Sequence, residues 1–228
     1  YGILSEVFSF SVKNEVKRGA FYKDNKIILR HPLLSNEEII LAKDIALKGL
    51  HNMENVMASV ITALELGIDL ESIKQTLKRF SGLHHRVEFV DEINGVKFYN
   101  DSKGTNVGAT EKALAGFNDK VVLILGGRDK GGDYTFLNDE IRRIVKKIIA
   151  IGEAKDKIYQ QLKDIIPVIK EESFESAIRT AYKNAEEGEI VLLSPACSSF
   201  DMFSSYVERG NKFVEIVKKM KEEFSGKD

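Results

Sequence analysis

Residues 96–117 read VKFYNDSKGTNVGATEKALAGF. Val96 and Phe98 alternate with polar neighbours, which is the period of a strand. Ala109, Ala113, Leu114 and Phe117 recur at helical spacing. Between the two patterns, residues 99–106 (YNDSKGTN) gather two carboxamides, a carboxylate, an ammonium, two hydroxyls and a glycine. A strand, a polar loop and a helix in this order predict an α/β sheet, in which ligands collect at the carboxyl ends of the strands. An Asx-turn or helix cap at Asp101 or Asn106 accounts for part of the loop. It does not call for Lys103 and Thr105 as well.

Downstream, short β-branched apolar runs at 121–125, 148–151, 168–169 and 190–193 are separated by helical patterns at 137–147, 153–163 and 173–186. That alternation predicts right-handed crossovers and a mainly parallel sheet. Helical turns follow from about Phe200 to Phe224. Upstream, 86–93 and 96–99 predict a hairpin through Asn94-Gly95. The stretch from Phe80 to Leu83 breaks the pattern, so a domain boundary is expected there, between 1–82 and 83–228. Before it come a strand over 3–12 and a hairpin over 21–29 turning at Asp24-Asn25; 33–47 reads as two buried strands or one helix, with strands preferred. Helices follow at 51–66, ended by Gly67, and at 70–80.

Composition narrows the function. The 228 residues are 43% hydrophobic, enough for a packed core and unlike a disordered chain. Basic and acidic residues number 34 and 35, so no basic surplus points to nucleic acid. One cysteine excludes a disulfide framework and fits a reducing compartment. No apolar run reaches the length of a membrane span, and no signal peptide is expected. The first residue is Tyr1 and the opening already alternates like a strand, which predicts the C-terminal part of a longer protein; a trimmed start is the alternative.

In a parallel sheet the loops after the strands share one edge. Besides 99–106, two more are unusual: 126–133 (GGRDKGGD) and 194–201 (SPACSSFD). The first fits neither G-x-G-x-x-G nor a Walker pattern. It presents Arg128, Asp129 and Lys130, and Lys130 is either a mobile charge for a carboxylate or phosphate or part of a solvated loop. In the second, Ser198 or Ser199 is a candidate anion contact, with Ser199 or Asp201 as a simple N-cap the other reading. Cys197 reads as a small buried residue rather than a nucleophile. His51, His84 and His85 lie on separate elements, and no metal site is expected. Asn52 and Asn55 stand three apart at a helix start, on one side of its first turn. Asn52 as N-cap leaves Asn55 unexplained. Arg86 opens a strand beside the boundary, where interdomain ligands bind.

Taken together, HNMEN (51–55), GLHHRVE (82–88), NDSKGTN (100–106), LGGRDKGGD (125–133), SPACSSFDMF (194–203) and ERG (208–210) resemble the Mur ligases, and within them the D-glutamate-adding members. The likeness runs from about residue 51 to the end. It implies that 1–82 is the C-terminal part of a central ATP-binding domain and 83–228 a Rossmann-like C-terminal domain. The phosphate-binding loop, Mg2+ ligands, modified lysine and UDP site would lie upstream of Tyr1. It implies a cytoplasmic ATP-dependent ligase of peptidoglycan synthesis, monomeric when intact, that joins D-glutamate to UDP-N-acetylmuramoyl-L-alanine through an acyl phosphate. The portion here would be inactive alone, with its catalytic residues unassigned. Carried over by position, Asn52, Asn55, Arg86, Asp101 and Lys103 match nucleotide contacts, and Thr105, Lys130, Ser199 and Tyr206 match positions around D-glutamate. Tyr206 stands where the family usually has Phe, and Arg128 adds a charge in a variable loop. The alternatives are another Mur-type ligase, a folylpolyglutamate synthase, or a free-standing Rossmann-like metabolite-binding module.

Overall fold

In a computed structural model, which describes residues 6–34, 36–47, 50–80 and 82–225, the chain divides into two units, Tyr1–Gly82 and Leu83–Asp228. Residues 3–5 of the expected first strand and the side chain of His51 lie outside the described residues. In the first unit, β1 (Ser9–Ser11) runs parallel to β2 (Gly19–Lys23), which pairs antiparallel with β3 (Lys26–Arg30); β4 (Glu38–Leu41) closes the sheet. Asp24 and Asn25 both take left-handed backbone (φ 50° and 58°), the geometry a two-residue hairpin requires. Ile27 and Leu29 alternate inward and meet the apolar stripe Met53, Val56, Met57, Val60 and Leu64 of α1 (Leu50–Glu65). Asp69 caps α2 (Leu70–Arg79) by accepting from the Ser72 amide at 2.9 Å. Among the described residues of 33–47 only β4 is a strand. The second run becomes a 3₁₀ turn, Ala42–Asp44, that delivers Ile45 into the core instead.

The second unit opens with an antiparallel hairpin, β5 (Glu88–Ile93) and β6 (Val96–Asn100), turning at left-handed Asn94 and Gly95. Then follow α3 (Val107–Ala115), β7 (Val121–Gly126), α4 (Asn138–Ile144), β8 (Val145–Ile151), α5 (Lys155–Leu162), β9 (Val168–Lys170), α6 (Phe174–Lys183), β10 (Ile190–Leu193) and α7 (Tyr206–Ser225). The sheet order is β5-β6-β10-β7-β8-β9, parallel from β6 onward. Residues of β7 alternate between two apolar layers. Val121, Leu123 and Leu125 pack with Leu114, Ile141 and Ile158, and Val122 and Ile124 pack with Ile178, Phe213 and Val217. All five are fully buried, each contributing about 1.5–3 kcal/mol of hydrophobic stabilisation. An Asp at Ile124 would strand a charge between layers.

Two boundaries differ from the sequence pattern. The helix expected over 137–147 stops at Ile144, because Val145 already pairs with Val121 in the sheet. Lys146 and Lys147, which complete a helical pattern on paper, reach Glu189 (3.0 Å) and Asn184 (2.6 Å) from a strand. The last helix begins at Tyr206, not near Phe200. The Ser199 carbonyl first accepts from the Met202 and Phe203 amides in a turn, and Ser205 then accepts from the Glu208 amide at 3.1 Å. Ser199 and Asp201 are therefore not its caps. Among the described residues no helix is long and apolar enough to cross a membrane.

Candidate functional site

Strand order decides which loops meet. Because β10 inserts between β6 and β7, the three polar loops leave adjacent strand ends. The Asp101 amide donates to Leu193 O (2.7 Å), and Gly126 N donates to Pro195 O (2.8 Å). Arg128 N donates to Ser198 O (2.9 Å), tying the β7 loop to the β10 loop.

Most polar groups at the end of β6 are turned inward. Asn100, fully buried, donates to Gly210 O (3.1 Å) and lies 2.9 Å from His85 Nδ1, which therefore accepts. Burial pushes the His85 imidazole below its ordinary range. Asp101 accepts from Ser194 Oγ (2.7 Å) and from the Val87 amide (3.3 Å), and burial pushes its carboxyl up to about 6. Gly104 is required beside it, since a Cβ there would stand 2.8 Å from Ser194 Oγ and overlap Asp101. Asn106 caps α3 by accepting from the Ala109 amide at 2.9 Å, so the cap is Asn106 and not Asp101.

What remains outward is cationic. Arg86 and Lys103 are exposed and, with His84, His85, Tyr206 and Asn211, line a cavity of ≈510 Å³. The Lys103 ammonium sits 4.1 Å from the centre of the Tyr206 ring. Arg86 is displayed between two left-handed residues, His85 (φ 63°) and Val87 (φ 48°). A β-branched residue in that region stores about 1–3 kcal/mol of strain. The strain is held by Asp101 on the Val87 amide and by His85 O, which accepts from the Lys103 amide at 2.9 Å. Two cations beside an aromatic ring suit a phosphate with an attached base or sugar.

The other candidates sit elsewhere. Thr105 is half-buried in the β6 loop, Lys130 is exposed in the β7 loop, and Ser199 is buried behind β10; none lines that cavity. Tyr206, which the family resemblance groups with the amino-acid site, shares the cavity with Arg86 and Lys103. Asn52 and Asn55 belong to the first unit. Asn52 is the third residue of α1 rather than its cap, half-buried, and Asn55 is exposed.

Residues 85–197 match the family described as Mur ligase, glutamate ligase domain. The second unit is a Mur ligase C-terminal domain. The chain is 43% identical over 221 residues to the UDP-N-acetylmuramoylalanine--D-glutamate ligase of Koribacter versatilis, covering 97% of this chain and 48% of that protein. It is 42% identical over 216 residues to the ligase of that name from Geotalea daltonii, covering 95% and 47%. The chain thus spans about half the length of these curated relatives. Among solved structures, the UDP-N-acetylmuramate-alanine ligase MurC of Thermotoga maritima shares the fold at a TM-score of 0.63 and 15% identity, over 93% of this chain and 48% of that one.

The Mur ligase domain holds one charged residue that sequence reading left without a role. Arg209 is 1% exposed, and among the described residues its guanidinium forms no ion pair. Its Nε donates to Ser102 Oγ (2.9 Å), Nη2 to Ser102 O (2.8 Å), and both terminal nitrogens lie 3.2 Å from Cys197 O. Burial pushes the guanidinium down to about 10. It clamps the β6 loop to the β10 loop from beneath. The signal was in the helical spacing: Tyr206, Arg209, Phe213, Ile216 and Met220 share the apolar stripe of α7, and an Arg in such a stripe must be bonded from within.

Proposed function

We propose that this chain is the C-terminal portion of an ATP-dependent ligase that adds D-glutamate to UDP-N-acetylmuramoyl-L-alanine in peptidoglycan synthesis. The observation that carries the reading is the outward set of cations: Arg86 and Lys103, which share one cavity, and Lys130 on the β7 loop at the same sheet edge. The names of the relatives at 42–43% identity support the D-glutamate assignment. Residues 1–82 are then the C-terminal part of a central ATP-binding domain, and 83–228 the domain that brings the amino acid.

In this reading Arg86 and Lys103 neutralise nucleotide phosphate charge, Tyr206 flanks the nucleotide, and Asp101 holds the Arg86 turn in shape. Asn52 and Asn55 meet the adenine region. Lys130, with Thr105 and Ser199, receives the two carboxylates of D-glutamate, for which an ammonium and hydroxyls are the suited donors. Fixing both anions lowers the entropic and electrostatic barrier to their meeting. ATP supplies the activation of the acceptor carboxylate, and the Mg2+ that accompanies it takes its ligands outside this chain. The reading carries a cytoplasmic location and a monomer.

The test is a ligation assay on the full-length gene product with ATP, Mg2+, UDP-N-acetylmuramoyl-L-alanine and each of D-glutamate, L-glutamate, L-alanine, L-lysine and diaminopimelate. D-glutamate product, lost mainly through a raised D-glutamate KM in Lys130→Ala, supports the reading. Product with another amino acid instead overturns the specificity. ATP turnover by residues 1–228 alone overturns the view that the activity needs more than this portion.

A further inference from the structure

The β7 loop carries three charges in a row, Arg128, Asp129 and Lys130, and the structure treats them differently. Arg128 pairs with Glu153 at 3.4 Å. Asp129 turns away from its neighbour. Its Oδ1 accepts from the amides of Gly131 (3.1 Å) and Gly132 (3.2 Å) and from Tyr134 Oη (3.3 Å), while Oδ2 takes the Lys157 ammonium at 2.8 Å. That ammonium holds the Asp129 carboxyl below the usual carboxylate range. Tyr134, fully buried, stands 2.9 Å from Cys197 Sγ, which joins the network to the β10 loop beside Ser198 and Ser199. Lys130 is left exposed, and among the described residues its ammonium has no hydrogen bond or ion pair.

We infer that Asp129 is a positioning residue for the amino-acid substrate: it folds the loop that carries Lys130 and leaves that ammonium uncompensated. Two physical effects combine. Four donors from three elements converge on one carboxylate, so a glycine-bracketed loop is ordered before substrate arrives, and prepaid ordering strengthens binding. The negative charge next to Lys130 in sequence is spent on Lys157, so Lys130 keeps its full attraction for an incoming carboxylate. The same network spans the β7 and β10 loops, so Lys130 and Ser199 are placed by one constraint. This inference rests on the functional reading above, in which Lys130 meets an anionic amino acid.

Steady-state kinetics on the full-length enzyme test it, beside peptide-resolved hydrogen exchange over residues 128–137. In Asp129→Ala we expect the D-glutamate KM to rise about tenfold, with kcat and the ATP KM within about twofold, and exchange at Gly131 and Gly132 to quicken. Asp129→Asn keeps an acceptor for both glycine amides and should recover most of the loss. In a Lys130→Ala background, Asp129→Ala should add less than about twofold, because the two act as one unit. An unchanged D-glutamate KM in Asp129→Ala, or a full additional loss in the Lys130→Ala background, overturns this inference while the functional reading stands. A wild-type enzyme without D-glutamate-dependent product overturns the functional reading and this inference with it.

Discussion

Replacing Gly210 with alanine sets a local preference against a tertiary contact. In an open helix the exchange stabilises by about 1 kcal/mol, because alanine surrenders less backbone freedom on folding. On α7 the new methyl would overlap the His85 imidazole, 2.5 Å from Cγ and closer still to Nδ1. That ring is 5% exposed and is held by Asn100 Nδ2 at 2.9 Å. Moving it breaks a hydrogen bond of a fully buried carboxamide, a loss of about 1–3 kcal/mol. Leaving it in place overpacks the site, again by about 1–3 kcal/mol. With the helical gain of about 1 kcal/mol subtracted from whichever loss is incurred, Gly210→Ala should destabilise the second unit by about 1 kcal/mol and at most about 2. Gly108 on α3 is the control. A Cβ there meets only Asn106 Oδ1 at 3.7 Å, an ordinary contact, so Gly108→Ala should gain up to about 1 kcal/mol. Urea unfolding followed by circular dichroism gives both values, and amide exchange of α7 peptides assigns the transition to the second unit. A Gly210→Ala protein stabilised by as much as Gly108→Ala would refute the packing account of the ERG stretch.

Three further outcomes are expected. Burial raises the Asp101 carboxyl from 3.8 to about 6, so the folded state holds that proton more tightly than the unfolded one. Its contribution is present below about pH 4 and is lost as pH rises through about 6; urea titrations should show Asp101→Asn gaining about 2–3 kcal/mol relative to wild type between those limits. The Cys197 thiol is buried and pushed up to about 11, so at pH 8 it should react with an aromatic disulfide only as fast as the second unit opens, and rapid stoichiometric labelling of the folded chain would contradict the structure. The Lys103 ammonium over Tyr206 should give its ε-protons an upfield ring-current shift, kept in Tyr206→Phe and abolished in Tyr206→Leu, as carbon-13-labelled lysine would report.

Much of the fold was legible because both units obey local rules. Asn94-Gly95 and Asp24-Asn25 turn where a two-residue hairpin needs left-handed backbone. The fully buried run of β7 reads as a parallel strand from its unbroken apolar stretch of Val, Leu and Ile. Two things were not legible. Strand order depends on pairings such as Leu192 with both Tyr99 and Leu123, which leave no periodic trace in the chain. The start of β8 was hidden by Lys146 and Lys147, whose long stems let polar heads reach Glu189 and Asn184 from a strand as readily as from a helix.

The candidate site was legible as a set of loops but not as a set of contacts, for a physical reason. A polar residue at a strand end must either meet water or a ligand or be bonded from within, and the sequence does not say which. In YNDSKGTN the structure turns Asn100, Asp101 and Ser102 inward, to His85 and Gly210, to Ser194 and Val87, and to the Tyr206 carbonyl. Asn106 serves the helix behind it. Lys103 alone of the charged groups is left outside, held at its own amide by His85. GGRDKGGD repeats the division: Arg128 and Asp129 are matched by Glu153 and Lys157, and Lys130 has no such partner among the described residues. Each loop thus uses most of its polar groups to hold its shape and presents one cation. In the proposed function it is the unpaired cation, rather than the polarity of the whole loop, that would meet the anionic ligand.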